Sequence, residues 1–165
     1  MEVEFIKLDV QHKQEVLELF NYYIETTTAA YRAQLVNEDF FSHFCESGDT
    51  YCSFAIEAKD GSLVGFCLLE AYIPISTFSK AAEVMYFLHP KYTGKGIGAL
   101  ALNKLEVEAK KRGITRLIAD ISLENVGSIK FHESNGFVEF GKLANIGEKF
   151  GRTFGIIWMQ KELSS

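Results

Sequence analysis

No stretch of this chain reaches the roughly 18 consecutive apolar residues that a membrane-spanning helix requires, and no run of lysine and arginine forms a basic tract. The first absence leaves no candidate transmembrane helix. The second, together with a formal net charge of -5, argues against nucleic acid or an anionic membrane as the main partner. The amino-terminal stretch MEVEFIKLDV has neither the basic start nor the apolar centre of a secretory signal, so a soluble, unsecreted, cytoplasmic protein is expected. Cys45, Cys52 and Cys67 are odd in number and match neither Cys-x-x-Cys nor a zinc spacing; reduced, buried thiols and no metal are expected. With only 2 prolines, no repeat and no low-complexity segment, nothing suggests a linker. A single domain over residues 1–165 is expected, and a hydrophobic fraction of 47% is ample for its core.

Periodicity places the elements. Residues 3–8 alternate as a strand, and Asp9 then offers a cap for a helix over 11–25 in which Val16, Leu17, Phe20, Tyr23 and Ile24 recur at helical spacing. Asn37 suits the start of a second helix over 38–45 that buries Phe40, Phe41 and Phe44 and stops at Gly48. Strands over 51–58 and 63–72 flank Lys59-Asp60-Gly61-Ser62, a hairpin signal. A fourth strand, 82–88, leads into a glycine-rich turn and a helix that ends at Lys110-Lys111-Arg112-Gly113, cations and glycine being suited to a helix C-terminus. A fifth strand over 115–122, a short helix beginning at Asn125 or Ser128 and running to Ser134, and strands over 137–141 and 153–161 complete the chain. The helix between the fourth and fifth strands makes them parallel, while the earlier strands form hairpins. The fold class is therefore α/β, a mixed, mostly antiparallel sheet with helices on both faces.

The stretch over 83–102, EVMYFLHPKYTGKGIGALAL, carries the strongest chemical signal. Gly94, Gly96 and Gly98 stand just before the apolar helical run, so the unpaired N–H groups of a helix's first turn lie beside backbone that a ligand can approach closely. Lys95 and the helix dipole add positive character, and a phosphate-bearing ligand is expected. A P-loop is excluded, because Gly96 follows Lys95 and no glycine lies five residues before Gly94. A dinucleotide fingerprint can be written through Gly96, Gly98 and Ala101 with Asp120 downstream, but residues 89–93 intervene between strand and glycines, and too little chain follows for a doubly wound half.

A third reading fits better. The turn resembles the pyrophosphate loop of the GNAT superfamily of acyl-coenzyme A dependent N-acetyltransferases, with Gly96 and Gly98 as its two small residues and Thr93 where Arg or Gln is usual. A second segment, LENVGSIKFHESNGF over 123–137, resembles another motif of that superfamily, with Asn125, Ser128, His132, Gly136 and Phe137 in register. Glu83 ahead of Pro90, His132-Glu133, residues 21–24, Tyr31-Arg32 and residues 149–152 are similar to the phosphinothricin acetyltransferase-like branch, and the resemblance extends over nearly the whole chain. It departs in two places: Ile75-Ser76-Thr77-Phe78 replaces a segment that often holds an arginine, and Phe87 stands where Tyr is common. The resemblance implies acetyl-CoA as co-substrate, a small-molecule primary amine as acceptor, amino-acid-like as for phosphinothricin or methionine sulfoximine, and a homodimer. It also implies cofactor contacts at Phe87, Leu88, Thr93, Gly94, Lys95, Gly96, Ile97, Gly98, Asn125 and Ser128, and an acceptor pocket involving Tyr31, Arg32, Phe78 and Arg152.

Acetyl transfer demands a neutral nucleophile, yet an alkylamine with a pKa near ~10.4 is almost wholly protonated at neutral pH. Glu83, partly desolvated on its strand, is the candidate base, and His132, at the position of the superfamily's general acid, is a candidate acid or base. Residue type alone leaves other readings open: Glu83 as a polar strand residue, His132 as a hydrogen-bonded core residue, Asn125 as a helix cap, and Arg32 as a solvated cation. A non-catalytic acyl-CoA-binding sensor of the same fold is the alternative function.

Overall fold

In a computed structural model the chain is described over residues 1–164, the side chains of residues 47–49 excepted. Seven strands form one sheet: β1 (Val3–Lys7), β2 (Cys52–Ala58), β3 (Leu63–Ala71), β4 (Ala81–Leu88), β5 (Arg116–Ser122), β6 (Val138–Lys149) and β7 (Arg152–Glu162), in the spatial order β1-β2-β3-β4-β5-β7-β6. Four α-helices complete the fold: α1 (Lys13–Thr26), α2 (Phe41–Thr50), α3 (Ile97–Lys111) and α4 (Val126–Ser134). Every neighbouring strand pair is antiparallel except β4 and β5. This is the mixed α/β architecture expected.

Strand alternation divides the core into two layers. On one face Cys67, Leu69, Val84, Leu117, Ala119 and Ile121 pack with Leu102 and Leu105 of α3. On the other, Phe66, Leu68, Met85 and Phe87 meet Val16, Phe20 and Ile24 of α1 and Phe44 of α2. Phe20 binds this second layer together, its ring lying against Phe40, Phe44 and Phe87 at centroid distances of 5.6, 5.3 and 5.4 Å. Truncating a buried ring of this kind to alanine costs about 3–5 kcal/mol.

Local signals account for most boundaries. Asp9 accepts from the Val10 N–H and forms a capping box with His12 in the short 3-10 turn, Val10–His12, that leads into α1. Asn37 caps a short 3-10 turn ahead of α2 by accepting from the Asp39 N–H. Two expectations need correction. The second helix does not stop at Gly48 but continues to Thr50, since a glycine inside a helix costs only about 1 kcal/mol and packing against β2 and β3 outweighs it. The sixth strand does not end near Gly141 but reaches Lys149, its register with β7 shifting between Glu139 and Gly141 and between Leu143 and Gly147. These irregularities break the alternation that marks a strand in a sequence, which is why only its first residues were legible.

Candidate active site

The sheet opens at its centre. β4 and β5 pair only through Ala81–Arg116, Ala82–Leu117 and Glu83–Ile118, after which β4 follows β3 and β5 follows β7. Beyond Glu83 the two parallel strands therefore leave a gap with backbone groups lining its β4 side. The His89 N–H donates to the Val64 carbonyl of β3 at 2.8 Å, so strand alternation turns the Leu88 N–H towards the gap and the Phe87 N–H towards β3. The Leu88 carbonyl accepts from the Tyr23 hydroxyl. Of Phe87 and Leu88, the two cofactor contacts expected on this strand, Leu88 is the one whose backbone N–H faces the gap; the Phe87 ring is packed among Phe20, Tyr23 and Phe66.

Past the end of β4 the glycine turn enters α3. Gly94 and Gly96 have φ of 73° and 80°, left-handed values that glycine adopts without strain, and a Cβ built on either would meet nothing within 4 Å. Gly96 is the N-cap of α3 and no side chain caps that helix. Its first amides are thus available to an anion, at the positive end of the helix dipole. Ile97 is buried and anchors the first turn in the core, while Gly98 faces Phe131 of α4, where a Cβ would come to 3.5 Å. Lys95 lies 5.8 Å from the Tyr92 ring centroid. The Thr93 hydroxyl donates to the Pro90 carbonyl at 2.9 Å, so this replacement for the usual Arg or Gln points its donor inward. An open, uncapped, glycine-lined helix start suits the diphosphate of coenzyme A.

The two expected catalytic side chains lie on opposite faces of β4. Glu83 shares the face of Met85 and Phe87, whereas His132 contacts Tyr86, whose side belongs to the α3 layer. Burial first, then the carboxylates of Glu70 and Asp120, push the Glu83 pKa up to about 7. His132 is 2% exposed. Its Nδ1 lies 2.7 Å from the Ser128 carbonyl, which requires the proton on Nδ1, and its Nε2 then accepts from the Tyr86 hydroxyl. Burial holds the imidazole pKa down. Asn125 caps α4 by accepting from the Ser128 N–H at 3.2 Å.

Around Glu83 the acceptor side is built from side chains distant in sequence. Glu70 stands directly opposite Glu83 in the β3–β4 register. Asp120 shares the same sheet face on β5 and accepts from the Tyr31 hydroxyl at 2.7 Å, and Tyr31 stacks on Phe154. The loop after α1 is strapped down by Thr28, which hydrogen-bonds Ser122 at 2.7 Å and Glu124 at 2.9 Å, and by Lys149, whose Nζ donates to the Thr27 and Ala30 carbonyls. Arg152 forms a bidentate pair with Glu124 at 2.8 and 2.9 Å. The Arg32 guanidinium sits 4.4 Å over the Phe40 ring. Phe78 is exposed on a 3-10 turn between β3 and β4. Tyr31 thus joins the Glu83 group, while Arg32 and Arg152 are turned to other partners. Glu70, Tyr23 and Tyr86 were missed; strand register singles out Glu70, and a polar residue two places past Leu68 on an otherwise apolar strand was the available signal.

Comparison with known proteins adds four findings. The family model described as the Acetyltransferase (GNAT) family matches residues 16–137. An L-amino acid N-acyltransferase of Escherichia coli strain K12 is 27% identical over 150 residues, covering 90% of this chain and 87% of its own length. A phosphinothricin N-acetyltransferase of Alcaligenes faecalis is 29% identical over 118 residues, 71% of this chain and 60% of its own. Among solved structures, a putative acetyltransferase of Salmonella typhimurium with its cofactor acetyl-CoA superposes with a TM-score of 0.91 at 25% identity, covering 100% of this chain and 96% of that one.

Proposed function

The chain belongs to the acetyltransferase (GNAT) family and is accordingly an acetyl-CoA-dependent N-acetyltransferase; we propose that its acceptor is the primary amine of a small molecule and that Glu83 is the base. The observation that carries this reading is Glu83, with its pKa near 7, standing where β4 and β5 part. A carboxylate of that pKa is ionised in a large fraction of molecules at neutral pH and basic enough to accept a proton from a bound ammonium, directly or through water.

Acetyl-CoA, when bound, supplies an acetyl group activated as a thioester. The chain's own contributions are distinct. The uncapped amides of α3 hold the diphosphate, with Gly94, Lys95, Gly96, Ile97 and Gly98 shaping the turn and Thr93 entering through its backbone. The Leu88 N–H faces the gap as a donor for charge developing on the acetyl oxygen. Asn125 and Ser128 hold the start of α4. His132, buried and with both ring nitrogens engaged, positions Tyr86 rather than meeting the amine, which leaves the base's part to Glu83. Tyr31 and the loop strapped by Thr28 and Lys149 wall the acceptor side, with Arg32, Phe78 and Arg152 at its margins.

A thiol-release assay over a panel of primary amines tests the reading. Amine-dependent release of coenzyme A is the expected result. Tight acetyl-CoA binding without release on any amine would instead identify a non-catalytic sensor. We also read residues 1–165 as one catalytic domain that is cytoplasmic, in keeping with its acidic charge, and homodimeric. Support for the last comes from Val138, Phe140, Leu143 and Ile146, exposed apolar residues on the edge strand β6. Light scattering at micromolar concentration reads the dimer directly.

A further inference from the structure

Among the described residues, the acceptor side of the cleft holds three carboxylates and no free cation to balance them. Glu70, Glu83 and Asp120 all project from the sheet face that α1 covers, Glu70 opposite Glu83 on β3 and Asp120 across the gap on β5. Each is partly buried. Among the described residues none of the three enters an ion pair. The cations of the surrounding elements are committed: Arg116, on the same face of β5, to Gln160 and Glu162, Arg152 to Glu124, Lys149 to the Thr27 and Ala30 carbonyls, Arg32 to the Phe40 ring. Residues 75–78, Ile-Ser-Thr-Phe, supply no replacement.

A free α-amino acid carries its carboxylate on the carbon that bears the amine. With the amine at Glu83, that carboxylate is drawn in among three others, and like charges brought together out of bulk water oppose binding strongly. A second ammonium on the acceptor has the opposite effect. The reacting amine must give up its proton and its charge, whereas a second cation keeps its own and remains as counter-ion to Glu70 and Asp120. Tyr31, donating to Asp120, fixes where that counter-ion sits.

We infer that the acceptor carries no carboxylate beside its reacting amine and does carry a second positive charge, held by Glu70 and Asp120, so that the substrate is a small dicationic amine. The inference rests on the acetyl-transfer reading above and narrows its acceptor. It is tested by two matched pairs in the thiol-release assay: diaminobutane against n-butylamine, which differ by one ammonium, and methioninamide against methionine, which differ by one carboxylate. Diaminobutane is expected to exceed butylamine in kcat/KM by tenfold or more, chiefly through KM, and methioninamide to exceed methionine by a similar ratio. Glu70→Gln is expected to collapse the diamine-to-monoamine ratio towards one; should that variant not fold, the wild-type ratios decide. Methionine used as well as its amide, or butylamine as well as the diamine, overturns the inference while leaving acetyl transfer intact. Absence of thiol release on every amine, with acetyl-CoA still bound, overturns the transferase reading itself, and the two failures are thus distinguishable.

Discussion

The donor and acceptor halves of the cleft are built by different means. The donor half is mostly backbone: positive-φ glycines, the uncapped start of α3 and the Leu88 N–H beside the strand gap. Its ligand has an invariant diphosphate and thioester, which main-chain dipoles recognise without help from particular side chains. The acceptor half is mostly side chain, gathered from β3, β4, β5, the loop after α1 and the β6–β7 hairpin. A backbone-built half tolerates changes of side chain such as Thr93 for Arg or Gln. In the half made of side chains, each change alters which molecule is accepted.

The sharpest test of that division is Glu83→Gln. Loss of a positioned base should lower kcat by about 10²-fold, with the KM for acetyl-CoA unchanged because the donor half is untouched. In the wild type, kcat/KM should climb with pH through about 7, where the Glu83 carboxyl ionises, and this limb should vanish in the variant. A limb that persists would assign the ionisation to another group. The reciprocal change is Gly96→Ala. Holding alanine at a φ of 80° costs about 1–2 kcal/mol, and distortion of the turn should raise the KM for acetyl-CoA about tenfold while leaving that for the acceptor alone. Equal rises in both would mean that the halves are not separable.

The same division explains what could be read from the residues in order. Strand, turn and helix from Glu83 to Leu102 are local, and glycine spacing before an apolar helical run states the conformation directly; hence the anion cradle and the parallel β4–β5 pair were legible. So was Glu83, but its surroundings were not. Glu70 and Asp120 become its neighbours only through strand register and the crossover of α3, and no local pattern encodes that proximity. The same holds for the commitment of Arg152 to Glu124 and of Arg32 to Phe40, each a choice among partners that tertiary structure makes. His132 was singled out by the resemblance of residues 123–137 to a superfamily motif, yet which face of β4 it would meet depended on how α4 docks. The long β6 was hidden by its own register shifts.

Tyr31→Phe gives a smaller effect within the acceptor half. Removing the hydroxyl that donates to Asp120 should cost about 1 kcal/mol, or roughly fivefold in acceptor KM, with the KM for acetyl-CoA unchanged. A fall in kcat alone would place Tyr31 in the chemistry instead of in binding.

The smallest effect concerns stability and comes from the same repulsion. Glu83 has its pKa raised from 4.5 to about 7 by burial and by Glu70 and Asp120. Below about pH 4.5 the carboxyl is protonated in both the folded and the unfolded chain and has no ionisation cost. As pH rises towards and past 7, the unfolded chain ionises freely while the folded chain must ionise against burial and two neighbouring charges, so folding loses free energy across that window. Glu83→Gln removes the loss. With allowance for the solvent that reaches a partly buried group, the variant should gain about 1 kcal/mol at about pH 8, or roughly 2–4 °C in Tm, and nothing at about pH 4. A base held ready at neutral pH therefore costs the fold some stability, and only the acceptor half should show this, since the donor half holds its ligand with uncharged amides. A gain of equal size at both pH values would point to packing, and the charge repulsion that distinguishes the two halves would lose its support.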